Sequence, residues 1–174
     1  HGNVLLMTLK AHLELGNTPD AEKAGMPLWK DHQTSIPTSR GLYALGRHFD
    51  QAQRAIADEA KKLPLLEKAA TYYEMWLSLK PLEVQPSEFL RTVGQMYFVL
   101  KDYGKAQTFL EKALSKLGNP PIEEVRNILH QLAQIYMRQG SFKQALPLLE
   151  RLACIDGDKP AQIKEMREAL AKKP

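Results

Sequence analysis

Leu90-x2-Val93-Gly94-x2-Tyr97, followed by Ala106-x3-Leu110, decides the reading of this chain, because the pattern returns as Leu129-x2-Leu132-Ala133-x2-Tyr136 followed by Ala145-x3-Leu149. In both copies the tyrosine and the next alanine stand nine residues apart. Apolar residues at helical spacing mark one buried helix face, so each copy reads as a pair of helices joined by a turn of fixed length. Gly94 and Ala133 on the first helices, with Ala106 and Ala145 on the second, are small where two helices cross at roughly 8–10 Å. Leu90, Val93, Tyr97, Phe109 and Leu110 fill the space around one crossing. Leu129, Leu132, Tyr136, Leu148 and Leu149 fill the space around the other.

The turns carry their own start signals. Asp102 and Ser141 stand where a second helix needs a side-chain acceptor for its free N–H groups, and Ser141 with Gln144 has the spacing of a capping box. Burial and local chemistry therefore agree on the same helix ends.

Slots for Leu, Gly or Ala, Tyr and Ala in a helix-turn-helix unit are those of the tetratricopeptide repeat. The chain resembles that family most closely over residues 86–158. The resemblance implies an all-α fold, a right-handed α-α superhelix: a tetratricopeptide-like solenoid of antiparallel helix pairs, with a C-terminal capping helix. About nine helices and no strand are expected. The expected divisions are a degenerate first pair over 1–35, an irregular connector over 36–48 and a repeat-like pair over 49–83. Repeats over 86–120 and 121–158 and a capping helix over 159–174 follow, all in one solenoid domain.

The upstream copies are weaker. Thr18-Pro19-Asp20 is a cap residue followed by proline and an early acidic residue, a helix start. Ala21 lies nine residues after His12, which puts His12 in the tyrosine slot and Gly25 where a large residue is expected. Asp31 to Ser39 is polar and bears Pro37, a linker by composition, and Gly41 and Gly46 interrupt Leu42, Tyr43 and Leu45. The stretch reads as a repeat with a shortened first helix or as an irregular connector, and the connector is preferred because Leu63-Pro64-Leu65 makes a natural break further on. A long helix from about Phe49 to Leu63 is expected next, broken at Pro64, with Gln53, Ile56, Ala57 and Ala60 in the packing slots. From Ala57 to Gly94 to Ala133 the spacings are 37 and 39 residues, longer than the family's repeat of about 34.

Composition bounds the function. The chain has 174 residues, 44% hydrophobic and 25% charged, which is ordinary for a globular protein. No apolar run reaches the roughly 20 residues that span a bilayer. Cys154 is the single cysteine, so no internal disulfide or cysteine metal cluster forms, and a small buried or half-buried filler is expected there. His1-Gly2 reads as a tag remnant, and the rest as a fragment cut from something larger; cytoplasm and bacterial periplasm both fit. Residues 1–87 hold ten basic and ten acidic side chains, and residues 88–174 hold fourteen and ten. Lys and Glu alternate along helix faces instead of forming a basic stripe with interleaved aromatics, which argues against nucleic acid.

No Gly-rich phosphate loop, HExxH, paired histidine or GxSxG motif occurs, so neither an enzyme nor a cofactor is expected. The resemblance implies a scaffold whose concave groove binds a peptide or helix of a partner protein. On the first helix of each repeat the face left over by the packing slots recurs at i, i+4 and i+7. It supplies Arg54, Asp58 and Lys61, then Arg91, Gln95 and Phe98, then His130, Gln134 and Met137 as the candidate groove residues, with Phe98 and Met137 as apolar anchors. Asp58 argues against the carboxylate clamp by which some members of the family hold chaperone tails. The alternative is a structural spacer or a self-assembling homo-oligomer in a multiprotein complex, such as one of bacterial envelope or secretion. Exposure of Trp29 and Trp76 would favour it.

Overall fold

The structure, a computed structural model, describes residues 2–31, 35–81, 84–118, 121–156, 163–164 and 168. Among these, the chain is all-α, with eight helices and no strand. They are α1 (Gly2–Glu14), α2 (Thr18–Asp31), α3 (Ile36–Arg54), α4 (Glu59–Ser78), α5 (Ser87–Val99), α6 (Tyr103–Lys116), α7 (Ile122–Arg138) and α8 (Phe142–Asp156). The chain divides into two compact units, His1–Phe89 and Leu90–Pro174. The capping helix expected over 159–174 lies, apart from residues 163, 164 and 168, outside the described residues.

The nine-residue ruler has a hydrogen-bonding cause. After α1, α5 and α7 one residue takes the left-handed conformation: Gly16, Lys101 and Gly140, with φ of 71°, 62° and 70°. This turns the chain so that the next N–H reaches back five residues, the Schellman arrangement. Asn17 donates to the His12 carbonyl, Asp102 to Tyr97 and Ser141 to Tyr136, at 2.8, 3.0 and 2.8 Å. Those same residues then accept the first bond of the following helix through their own carbonyls, from Ala21, Ala106 and Ala145. Five residues for the reversal and four for the first helical bond make nine. Asp102 also accepts from the Lys105 N–H through its carboxylate, as a helix cap does.

In unit 2 the crossings are packed as their spacing predicts. Leu90, Val93, Leu110, Leu129, Ala106 and Ala145 have no exposed surface. A Cβ on Gly94 would stand 2.8 Å from Leu110 Cγ and 3.1 Å from its backbone nitrogen, so glycine is what lets α5 and α6 meet there. The Tyr97 and Phe109 rings stack across the pair at 6.0 Å. Between α6 and α7, the Tyr136 hydroxyl donates to Glu111, and burial together with that carboxylate pushes the phenol up to about 12.

Unit 1 departs from expectation in the stretch expected to be a connector. Residues 36–48 are helical, the first two-thirds of α3. Ser35 caps it, its hydroxyl accepting from the Thr38 N–H at 3.3 Å, and Pro37 occupies the first turn, where its missing N–H costs nothing. Ser35 and Pro37, which read as linker residues, are thus a start signal. Gly41 and Gly46 do not interrupt the helix. They are contact points: a Cβ on Gly46 would come within 2.6 Å of the Tyr73 ring, and one on Gly41 within 3.2 Å of Leu28. Leu42-x2-Leu45-Gly46-x2-Phe49 is therefore a third copy of the packing signature, with all four slots buried.

The break expected at Pro64 falls instead at residues 55–58. Asp58 caps α4 by accepting from the Ala60 N–H, and Pro64 lies inside that helix. Of the slots assigned to a helix over 49–63, Gln53 lies in the last turn of α3, Ile56 and Ala57 lie in the break, and Ala60 lies in α4. In α1–α2 the size roles are exchanged. Gly25 on the second helix makes room for Leu9 and for the Trp29 ring, at 2.9 and 2.4 Å from where its Cβ would be. Cys154 is exposed, contrary to the expected filler role. It lies two residues beyond the buried Leu152, and so on the other side of α8.

Candidate functional site

The nine candidate groove residues divide into three sets with different fates. Arg54 ends α3 and spends its guanidinium on Asp50 at 2.8 Å, Asp58 caps α4, and Lys61 sits in the first turn of α4, 3.8 Å from Asp58. The expectation that these three share one helix face is overturned. The chain break between Arg54 and Glu59 puts them on two helices and in service to those helices' ends.

On α5, Arg91 points toward α7 and donates to Glu124 at 2.8 Å, with both side chains mostly covered. It also donates to Gln95. Phe98 is half-buried, edge-on to Tyr103 at 5.8 Å, and Tyr103 in turn carries the Arg138 guanidinium at 5.2 Å. The apolar anchor expected at Phe98 therefore covers the α5–α6 turn. On α7, His130 is exposed and bonds to Gln134, and Met137 is 40% exposed. Of the three sets, the one on α7 presents an open surface.

The marked concavity lies in unit 1, a pocket of about 760 Å³ built largely on the helix that composition hides. Helix α3 supplies Arg40, Tyr43, Ala44 and Arg47 from one face, at the i, i+3, i+4, i+7 spacing that keeps side chains together on a helix. Helix α1 supplies Lys10, Leu13 and Glu14 from the facing side, and α4 and the start of α5 supply Trp76 and Phe89. The contacts between α1 and α3 that frame the pocket follow from the buried Leu6, Leu9 and Gly41 between them.

Its floor is aromatic. Tyr43 lies 5.3 Å from Trp76 and 5.7 Å from Phe89, and Trp76 lies 5.0 Å from Phe89, all tilted or edge-on. Such mutual packing holds each ring in place without a ligand. Tyr43, Trp76 and Phe89 remain half-buried, with surface left to offer. Beneath them Tyr73 is buried, and burial with the nearby Asp50 carboxylate pushes its phenol far up, so it stays neutral.

The rim is cationic. In unit 1, Arg54, Lys61, Lys62 and Lys68 each have a carboxylate within ion-pair distance. Lys10, Arg40 and Arg47 have none among the described residues, and Glu14 is the one carboxylate in the lining. Lys80 covers the Trp76 ring at 4.8 Å, and His48 shares a 2.9 Å hydrogen bond with Thr18. The sequence holds a signal for this site. Arg40, Tyr43 and Arg47 form a cation-aromatic-cation stripe opposite the Leu42, Leu45 and Gly46 packing side, legible once α3 is known to be a helix. Among the described residues no cluster of His, Cys, Asp or Glu could hold a metal ion, and no helix is long and apolar enough to cross a membrane.

Residues 128–162 match a family model described as tetratricopeptide repeat. No curated protein matches the chain in sequence. Among solved structures, the chain is similar to TTC0263, a thermophilic TPR protein of Thermus thermophilus, with 20% identity, a TM-score of 0.44 and coverage of 98% of this chain and 82% of that one. It is also similar to BtubC (BKLC) from P. vanneervenii, with 16% identity, a TM-score of 0.48 and coverage of 99% and 65%.

Proposed function

We propose that this chain is a tetratricopeptide-repeat protein-interaction module that takes a peptide or helix of a partner protein in the pocket between α1 and α3, a reading supported by the family match over residues 128–162. In this reading α1–α2, α3–α4, α5–α6 and α7–α8 are four successive repeats. The observation that carries it is the pocket itself: some 760 Å³, an aromatic floor already packed, and no catalytic constellation in the lining. A preformed apolar concavity with a few polar groups at its rim is how proteins present a binding site. Because the rings hold one another, little side-chain freedom is lost on binding.

Trp76 gives the test. In a Trp29→Phe background it is the single remaining tryptophan, so its emission reports the pocket floor. Peptides recovered by display selection on the folded protein should shift that emission, and Tyr43→Ala should abolish their capture. Selected peptides that leave Trp76 silent would sink the reading. The exposed His130 and Met137 on α7 provide a secondary face, whose substitution should weaken capture less than Tyr43→Ala.

A second reading, self-assembly, draws on Val4 and Met7, 65% and 71% exposed on α1. It requires the mass in light scattering to rise with protein concentration, and a constant monomer mass would exclude it.

A further inference from the structure

Resting on the peptide-binding reading above, we propose the chemical class of the partner: a segment that sets one large apolar side chain between flanking Asp or Glu residues. The α3 stripe dictates this order. Arg40 and Arg47 are seven residues apart, two helical turns or roughly 10 Å along the axis, and Tyr43 lies between them on the same face. An apolar side chain seated on Tyr43, Trp76 and Phe89 therefore has a guanidinium on either side. An extended chain advances roughly 3.3 Å per residue. Carboxylates one or two positions before and after the apolar residue then come within reach of both arginines, and Lys10 on α1 closes the opposite wall.

The charges are free to act. Arg40, Arg47 and Lys10 are exposed and lack ion-pair partners among the described residues, whereas Arg54, Lys61, Lys62 and Lys68 are already engaged. Residues 1–87 as a whole balance ten basic against ten acidic side chains. Within the lining three cations stand against one carboxylate, Glu14, so the pocket itself carries a net positive charge. That charge steers an acidic segment there and gives the association a salt dependence. An apolar peptide without carboxylates would leave three cations facing a low-dielectric occupant and binds less well for that reason.

The same features weigh against a nucleic acid. Stacked bases want flat ring faces laid out along a basic track. Here the rings tilt into one another at 49° to 65° and present a single depression.

The experiment measures fluorescence anisotropy of labelled, amidated Gly-Asp-Glu-Leu-Glu-Asp-Gly on the full chain, with Trp76 emission followed in the Trp29→Phe background. Companion peptides carry Asn and Gln, or Lys, in place of the acids, or Ala in place of Leu. A single-stranded oligonucleotide serves as competitor. The acidic peptide should bind at least roughly tenfold more tightly than the neutral one and lose affinity with added salt. The Ala peptide should lose the Trp76 shift. Arg40→Glu with Arg47→Glu should reverse the preference toward the Lys peptide, and Arg40→Gln with Arg47→Gln should abolish it. Circular dichroism verifies the fold of both variants.

Equal binding of acidic, neutral and basic peptides at Trp76 would overturn the acidic preference and leave the peptide-binding reading standing. Displacement by the oligonucleotide at lower concentration than by unlabelled peptide would also overturn it. Failure of these peptides and of every display-selected peptide to reach Trp76 would remove both.

Discussion

Helices α3 and α5 carry the same inner face and opposite outer ones. Leu42, Leu45, Gly46 and Phe49 on α3 occupy the slots that Leu90, Val93, Gly94 and Tyr97 fill on α5, and all eight residues are buried. Outward, α5 has used its polar and aromatic groups: Arg91 is paired to Glu124, and Phe98 packs on Tyr103. On α3 the outward groups Arg40, Tyr43 and Arg47 are left around an open pocket. Packing slots therefore say that a helix belongs to a repeat and nothing about whether it binds. The face that packing leaves over decides that, and only the partners of each residue show whether it is spent.

The strongest test of the shared inner face is truncation of equivalent leucines. Leu42→Ala and Leu90→Ala remove side chains with 1% and 0% exposure, and each should cost about 2–5 kcal/mol in urea unfolding. A cost under about 1 kcal/mol at Leu42 alone would show that α3 is not built as α5 is. Next come the contact glycines. Gly46→Ala and Gly94→Ala each put a methyl within 3 Å of a fixed neighbour, and both should destabilise by about 1–3 kcal/mol. An exposed helical Gly→Ala would instead gain about 1 kcal/mol, so the sign of the change, read by thermal melting, is the informative part.

Why α5 is legible in the sequence and α3 is not follows from their turns. After α5 and α7 the Schellman reversal and the first helical bond fix nine residues between aromatic and alanine, so the two halves of each pair can be recognised together. After Phe49, α3 runs on to Arg54, the chain breaks over 55–58, and α4 adds more than two turns before it meets Gly46 at Tyr73. From Gly94 to Leu110 the separation is 16 residues, and from Gly46 to Tyr73 it is 27. With the ruler broken, Ser35, Pro37, Gly41 and Gly46 can be judged only by composition, and each is a loop residue by that measure. The candidate site is hidden with the helix that carries it. Arg91 and Phe98 illustrate the converse, since spacing places them on the face that the packing slots leave over and cannot show that Glu124 on α7 and Tyr103 on α6 engage them.

The turns supply a smaller test. Lys101 holds the left-handed position that Gly16 and Gly140 hold after α1 and α7, with φ of 62°. A side chain there costs about 1 kcal/mol relative to glycine. Lys101→Gly should therefore raise stability by up to about 1 kcal/mol, and Gly140→Ala should lower it by a similar amount. No gain at Lys101 would mean that the side chain is compensated in that turn.

The smallest effect is the one that separates the two outer faces. Arg91→Gln strands Glu124, whose side chain is 22% exposed, and should cost about 1 kcal/mol. Arg47→Gln strands no carboxylate among the described residues and should stay within about 0.5 kcal/mol of the parent. The two changes are chemically identical, a guanidinium replaced by an amide on the outer face of equivalent helices, so the difference in denaturation midpoint isolates whether the charge serves the fold. A stabilising Arg47→Gln would go further, because removal of a cation that repels Arg40 and Lys10 is expected to help the free protein while weakening an acidic ligand. That opposition of stability and binding is the mark of a charge kept for a partner, and equal destabilisation at Arg47 and Arg91 would erase the distinction between the faces.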